Sequence, residues 1–164
     1  MDFTEAQLQE RAKEMSEAIK RAYHEDANVD VDHMAKAMGF EVTKSDELGL
    51  VVNAQMYVSA DGTEKRIVMN AKSSPAWQKF NLMRALASYL LHYQPENGEE
   101  YRQEVSCDEQ DGMVGTLAMN VLVPTQYLRT ITTLFQDWTI PELERFFNMP
   151  NYIITTQLRA IEAM

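Results

Sequence analysis

Gln78 to His92 reads QKFNLMRALASYLLH, and the period of its apolar residues decides how the rest of the chain is organised. Phe80, Met83, Leu86 or Ala87, Leu90 and Leu91 recur at three- and four-residue intervals, which puts them on one face of a helix starting after Pro75. Before this helix the character is different. The segments FEVTK, LGLVVNAQMYV and EKRIVMN (residues 40–44, 48–58 and 64–70) are rich in β-branched and aromatic residues. Asp61 and Gly62 supply a turn between the last two, so these are expected to form a hairpin. After the helix the pattern stays helical: about Asp108 to Leu122, then from Pro124 through about Phe135, then Pro141 to Phe147 and Asn151 to Ala163. Two helices are expected upstream of the strands. Thr4 to about Tyr23 carries Leu8, Ala12, Met15, Ile19 and Ala22 at helical spacing, with Thr4 and Glu5 as start signals. Val31 to Met38 has Asp30 as its cap and Gly39 as its stop. The order predicts an α+β domain in which a small, mostly antiparallel sheet packs against a central helix and a C-terminal helical bundle follows.

At 164 residues the chain fits one compact domain, and 45% hydrophobic with 24% charged residues is a globular composition. The single cysteine, Cys107, leaves no intramolecular disulfide and no cysteine-rich zinc site. The N-terminus mixes acids with apolar residues, unlike a signal peptide, and no run is long enough to cross a membrane, so a cytoplasmic location is expected. A net charge of −10 argues against nucleic acid and anionic membranes as partners. Glu96, Glu99, Glu100, Glu104, Asp108, Glu109 and Asp111 face a single base, Arg102, between residues 94 and 111. This stretch is expected to be a solvated acidic loop leading into a helix N-terminus, with a docking surface for a basic partner as the less favoured reading. The eleven methionines are expected to fill core gaps rather than line an adaptable groove.

Four stretches carry a family resemblance. IVMN (Ile67 to Asn70) followed by AKSSPAWQ leads into KFNLMRALASYLLH; DGMVGTLAMNVLVP spans Asp111 to Pro124; VDVDHMAKAMGFEV spans Val29 to Val42. Together they resemble the ImmA/IrrE zinc endopeptidases. That family has a strand similar to IVVN, a helix typically RFTLAHELGHYLLH, a later ExxANxFAxxLLMP and an upstream DLEAIAERLGIEV. The resemblance implies a zincin-like core over residues 1–124 and a C-terminal helical extension over 125–164 of one domain. In HExxH the two histidines bind zinc and the glutamate acts as general base. Carried over, the first histidine falls on Arg84, the glutamate on Ala85, the second histidine on Ser88, and the third ligand, normally glutamate, on Asp111.

A guanidinium stays protonated and repels a divalent cation, and alanine accepts no proton. The expectation is therefore a pseudopeptidase: no metal or other cofactor, no catalytic residue, and a regulatory role through a protein partner. Active members of the family are associated with cleavage of repressor-type transcription regulators in phages and mobile elements, so the implied partner is such a regulator. Arg84 is expected to project into the former metal pocket and pair with Asp111, or with Glu109 if the register differs. His92, two turns beyond Arg84, is a pocket neighbour. An atypical metallopeptidase with a site built from Asp111, His92 and unidentified acids is one alternative. A small helix-turn-helix-like DNA-binding regulator built from ELERFFNMPNYIITTQLRAI is another, disfavoured because Arg159 is the only base on its second helix. Trp138, Phe146, Phe147 and Tyr152 are expected in the core of that helical pair.

Overall fold

In the computed structural model the described residues are 4, 6, 7, 10, 14, 30–94, 98–106 and 112–163. Most of the first expected helix lies outside them, as do Cys107, Glu109 and Asp111. Thr4 exchanges bonds with Gln7: the Thr4 amide donates to Gln7 Oε1 and the Gln7 amide to Thr4 Oγ1, the reciprocal pattern of a helix start.

Helix α1 (Val31–Ala37) begins where Asp30 accepts a bond from the His33 amide at 2.9 Å. It ends in a Schellman turn: the Gly39 amide donates to Lys36 O, the Phe40 amide donates to Ala35 O, and Gly39 takes φ +90°, which a side chain would strain. Strands β1 (Glu41–Ser45), β2 (Val52–Val58), β3 (Lys65–Asn70) and β4 (Tyr101–Ser106) form one mixed sheet in the order β1-β3-β2-β4. The β2–β3 hairpin is the expected one, and β2 also pairs antiparallel with β4; β1 runs parallel to β3. Ala54, Met56, Val58, Ile67, Met69 and Val105 alternate onto the buried face.

β4 corrects the expectation of an acidic loop across this region. YRQEVS alternates: Tyr101, Gln103 and Val105 turn inward while Arg102 and Glu104 face solvent. Its charges sit on the outer face of an edge strand, where they discourage pairing with another chain.

Helix α2 (Pro75–His92) starts with Ser74 accepting from the Trp77 amide and Pro75 at the first position. From Phe80 to Ser88 every residue is buried, not just one apolar face, because the sheet covers one side and helix α3 (Gly112–Leu122) the other. Helices α4 (Thr125–Leu134), α5 (Ile140–Phe147) and α6 (Asn151–Glu162) follow. A Thr139/Glu142 capping box starts α5, and Asn148 at φ 52° turns the chain into α6. The buried Gln157 ties α6 to the end of α3: its Nε2 donates to Val123 O at 2.7 Å and to Asn120 Oδ1 at 3.1 Å. Of the four aromatic core candidates, Phe147 is fully buried and Trp138 and Phe146 are half-buried, but Tyr152 is 61% exposed. Met34, Met56, Met69, Met83 and Met149 are buried, so five of the eight described methionines fill the core. Among the described residues, no helix is long and apolar enough to cross a membrane.

Candidate functional site

A groove of about 770 Å³ runs between α2 and α3. Trp77, Asn81 and Arg84, at four- and three-residue intervals, form its α2 wall, with Phe80 beside them. Gly112, Gly115, Thr116 and Met119 form the α3 wall at the same period, and Tyr152 of α6 closes one end. A Cβ built at Gly115 would meet nothing within 4 Å, so the missing side chain widens the groove and is not needed for close backbone packing. Asn53 reaches the groove because β2 bulges there: Val52 pairs with Ser106 and Ala54 with Val105, leaving Asn53 as the extra residue. Asn70 holds the bulge by donating from Nδ2 to Val52 O at 2.9 Å.

Arg84 is 8% exposed at the inner part of this groove. One terminal nitrogen, Nη2, donates to the carbonyl of Ser106 at 3.1 Å, tying the middle of α2 to the end of β4; the other, Nη1, lies 3.4 Å from Asn81 Oδ1. The guanidinium carbon lies 5.7 Å from the centre of the Phe80 ring, within cation–π range. Both of these acceptors are neutral, and they fix the orientation of the guanidinium. Arg84 also carries the only formal charge among the described residues lining the groove.

The neighbouring positions do different work. Ala85 is wholly buried in the core. Ser88 is one turn beyond Arg84 but is not part of the groove lining: its Oγ lies 2.9 Å from the hydroxyl of Tyr101, which is also 3.3 Å from the Ser88 carbonyl. Tyr101 thus covers the helix at Ser88. It belongs to an aromatic row with Tyr93, Tyr89 and Phe40, against which Lys65 lies while donating from Nζ to Met38 O at 3.0 Å. His92 is half-buried at the end of α2, away from the groove lining. Asp111, expected as the remaining carboxylate, and Glu109 lie outside the described residues, and the expected ion pair with Arg84 falls there with them.

Zinc in a hydrolytic site needs three protein ligands and an open position. A guanidinium, a methyl group and a hydroxyl already bonded to tyrosine do not fit it. Among the described residues no three His, Cys, Asp or Glu side chains are grouped to hold a metal. What the groove offers is a fixed cation, amides and hydroxyls from Asn53, Ser73, Asn81 and Thr116, and an aromatic rim where Trp77 and Tyr152 stack at 6.5 Å. Trp77 and Asn81 follow from Arg84 by helical period, and the α3 wall follows the same way. The bulge at Asn53 and the packing of α6 have no comparable local signal.

The model of one protein family, described as Peptidase_M78, IrrE N-terminal-like domain, matches residues 35–155. No curated protein matches the chain.

Proposed function

The chain belongs to the Peptidase_M78 family of IrrE N-terminal-like domains, and on that premise we propose that it is a non-catalytic member, a regulatory module that binds a protein partner. The observation that carries this reading is the buried guanidinium of Arg84, held by Ser106 and Asn81 inside the groove where the family resemblance puts the first metal ligand. A permanent cation there repels zinc. Ala85 offers no general base, and hydrolysis needs one to take the proton of the attacking water. Ser88 is engaged by Tyr101 and is a poor ligand in any case. The proposed scaffold is the family's zincin-like core with its recognition groove kept and its chemistry lost. The partner follows from the family association: a repressor-type transcription regulator, in a protein of phage or mobile-element origin acting in the cytoplasm. It is recognised without being cut.

Elemental analysis of the protein purified without added metal tests this reading. Substoichiometric zinc, together with a melting temperature unmoved by chelator, is the expected result. Stoichiometric zinc whose removal lowers the melting temperature would overturn it, because a metal that binds only the folded state stabilises it.

A further inference from the structure

Helix α4 carries more apolar surface than the fold covers. Leu128 and Ile131, on its inner face, are buried. Tyr127 and Leu134, seven residues apart and therefore on one side of the helix, are 36% and 68% exposed. Between them lies Thr130, whose hydroxyl already donates to Gln126 O at 3.1 Å within the helix. The apolar surface continues into the connection to α5. Phe135, 42% exposed, stacks on Trp138 at 4.5 Å; Trp138 meets Phe146 edge-on at 5.5 Å; Phe146 in turn stacks with Tyr127 at 6.3 Å. The backbone holds this circuit of rings in place, because the Phe135 amide donates to Ile131 O and the Trp138 amide to Phe135 O. Leu134 and the four rings thus form one ordered apolar patch, which loses little freedom when something is laid on it.

We propose that this patch joins two copies of the chain about a two-fold axis. Charge selects the occupant. The chain carries −10 overall, yet residues 124–164 hold three arginines (Arg129, Arg145, Arg159) against four acids (Asp137, Glu142, Glu144, Glu162), so nearly all of the excess negative charge lies upstream. A face with a large excess of one sign selects a partner of the opposite sign and repels its own copy. A nearly neutral apolar face whose own helices carry both signs does neither, and it is complementary to itself under a two-fold rotation. The remaining charge still repels at a distance. Added salt screens that repulsion and leaves the apolar contact intact, so the dimer tightens as salt rises. A basic partner docking on the acidic surface behaves in the opposite way. Dimerisation through α4 and α5 does not depend on the chemistry of the groove, so this inference stands or falls apart from the non-catalytic reading.

The test is sedimentation velocity on the full chain over about 1 to 200 μM, at about 50 mM and about 300 mM salt. A dimer with a Kd below about 100 μM is expected, tightening roughly two-fold or more at the higher salt. Leu134→Glu puts a charge into the patch of both copies at once and should weaken the dimer by about ten-fold or more. Leu50→Glu adds the same charge at a residue 91% exposed on the β1–β2 connection and should leave the dimer unchanged. A chain that stays monomeric across the range at both salts, a dimer indifferent to Leu134→Glu, or one that dissolves as salt rises overturns the proposal. So does a monomer that co-sediments with neutral phosphatidylcholine vesicles, which would assign the rings to a lipid surface. Should Leu134→Glu not fold, amide hydrogen exchange on the unaltered chain takes its place. Residues 134–138 should then gain protection as concentration rises through the Kd, and equal exchange at both ends of the range overturns the proposal.

Discussion

Replacing Arg84 by methionine isolates the energetic role of the guanidinium, because methionine refills much of the buried stem and brings no charge. The charged bond to the Ser106 carbonyl is the main loss, about 1.5–3 kcal/mol. The contact with the Phe80 ring adds about 0.5–1 kcal/mol. The Asn81 bond, at 3.4 Å, is close to the limit of a hydrogen bond and is counted as nothing. Arg84→Met is therefore expected to destabilise the fold by about 2–4 kcal/mol, a floor that any further contact of the guanidinium raises. Arg102→Met on β4 is the control: its side chain is 70% exposed, its ion pair with Glu100 is at the surface and its guanidinium lies 4.6 Å from the centre of the Tyr57 ring, so its loss should stay within about 1 kcal/mol. Both are read from urea unfolding followed by circular dichroism, as a shift in midpoint at constant slope. A loss for Arg84→Met no larger than for Arg102→Met would refute the reasoning. Crossing Arg84→Met with Asp111→Asn then tests the expected ion pair: coupling above roughly 1 kcal/mol supports it, and additivity rejects it.

Gln157→Leu leaves the buried carbonyl of Val123 without its 2.7 Å bond and should cost about 2–3 kcal/mol by the same urea assay. Asp61 accepts from Ser59 Oγ, from the Thr63 amide and from Thr63 Oγ1, and these bonds lower its pKa from 3.8 to about 2. Because the folded value is the lower one, its contribution to stability is complete above the ordinary carboxylate value and is lost as pH falls through about 2. A carboxyl-carbon titration that places Asp61 near 4 would refute that. Restoring Arg84→His, Ala85→Glu and Ser88→His together should give only weak zinc binding, because Tyr101 occupies the flank of position 88. Adding Tyr101→Ala should tighten it, measured by competition with a chromogenic chelator; tight binding by the triple variant alone contradicts the packing.

Local signals were enough wherever an element carries its own punctuation. Asp30 and Gly39 bound α1, Asp61–Gly62 marks the β2–β3 hairpin, and Pro75 opens α2 within a residue of its cap. β4 reads as loop from sequence because three acids and a base within Glu99–Glu104 dominate its composition, and the inward Tyr101 and Val105 matter only once β2 is there to pair with. Arg84 stands out by its position in the motif. Its burial depends on the carbonyl at Ser106, contributed from a strand 22 residues away. Tyr152 departs from the core expectation for a related reason. Aromatic residues in a helical pair read as core, and only the stacking of its ring on Trp77 shows that it forms a groove rim. Side-chain roles that cross between elements are the part that period and capping leave unread.

The bond between Ser88 and Tyr101 bears on how such a site changes over generations. A lone reversion to histidine at 88 would meet the tyrosine ring before any ligand at 84 existed to make a metal useful, and a lone reversion at 84 would give up the bond to Ser106. Each single step back is harmful until the others are in place. Under the proposed reading, the 2.9 Å contact works as a ratchet: a lineage can readily drift further into a binding role, but its short mutational paths back to hydrolysis are closed.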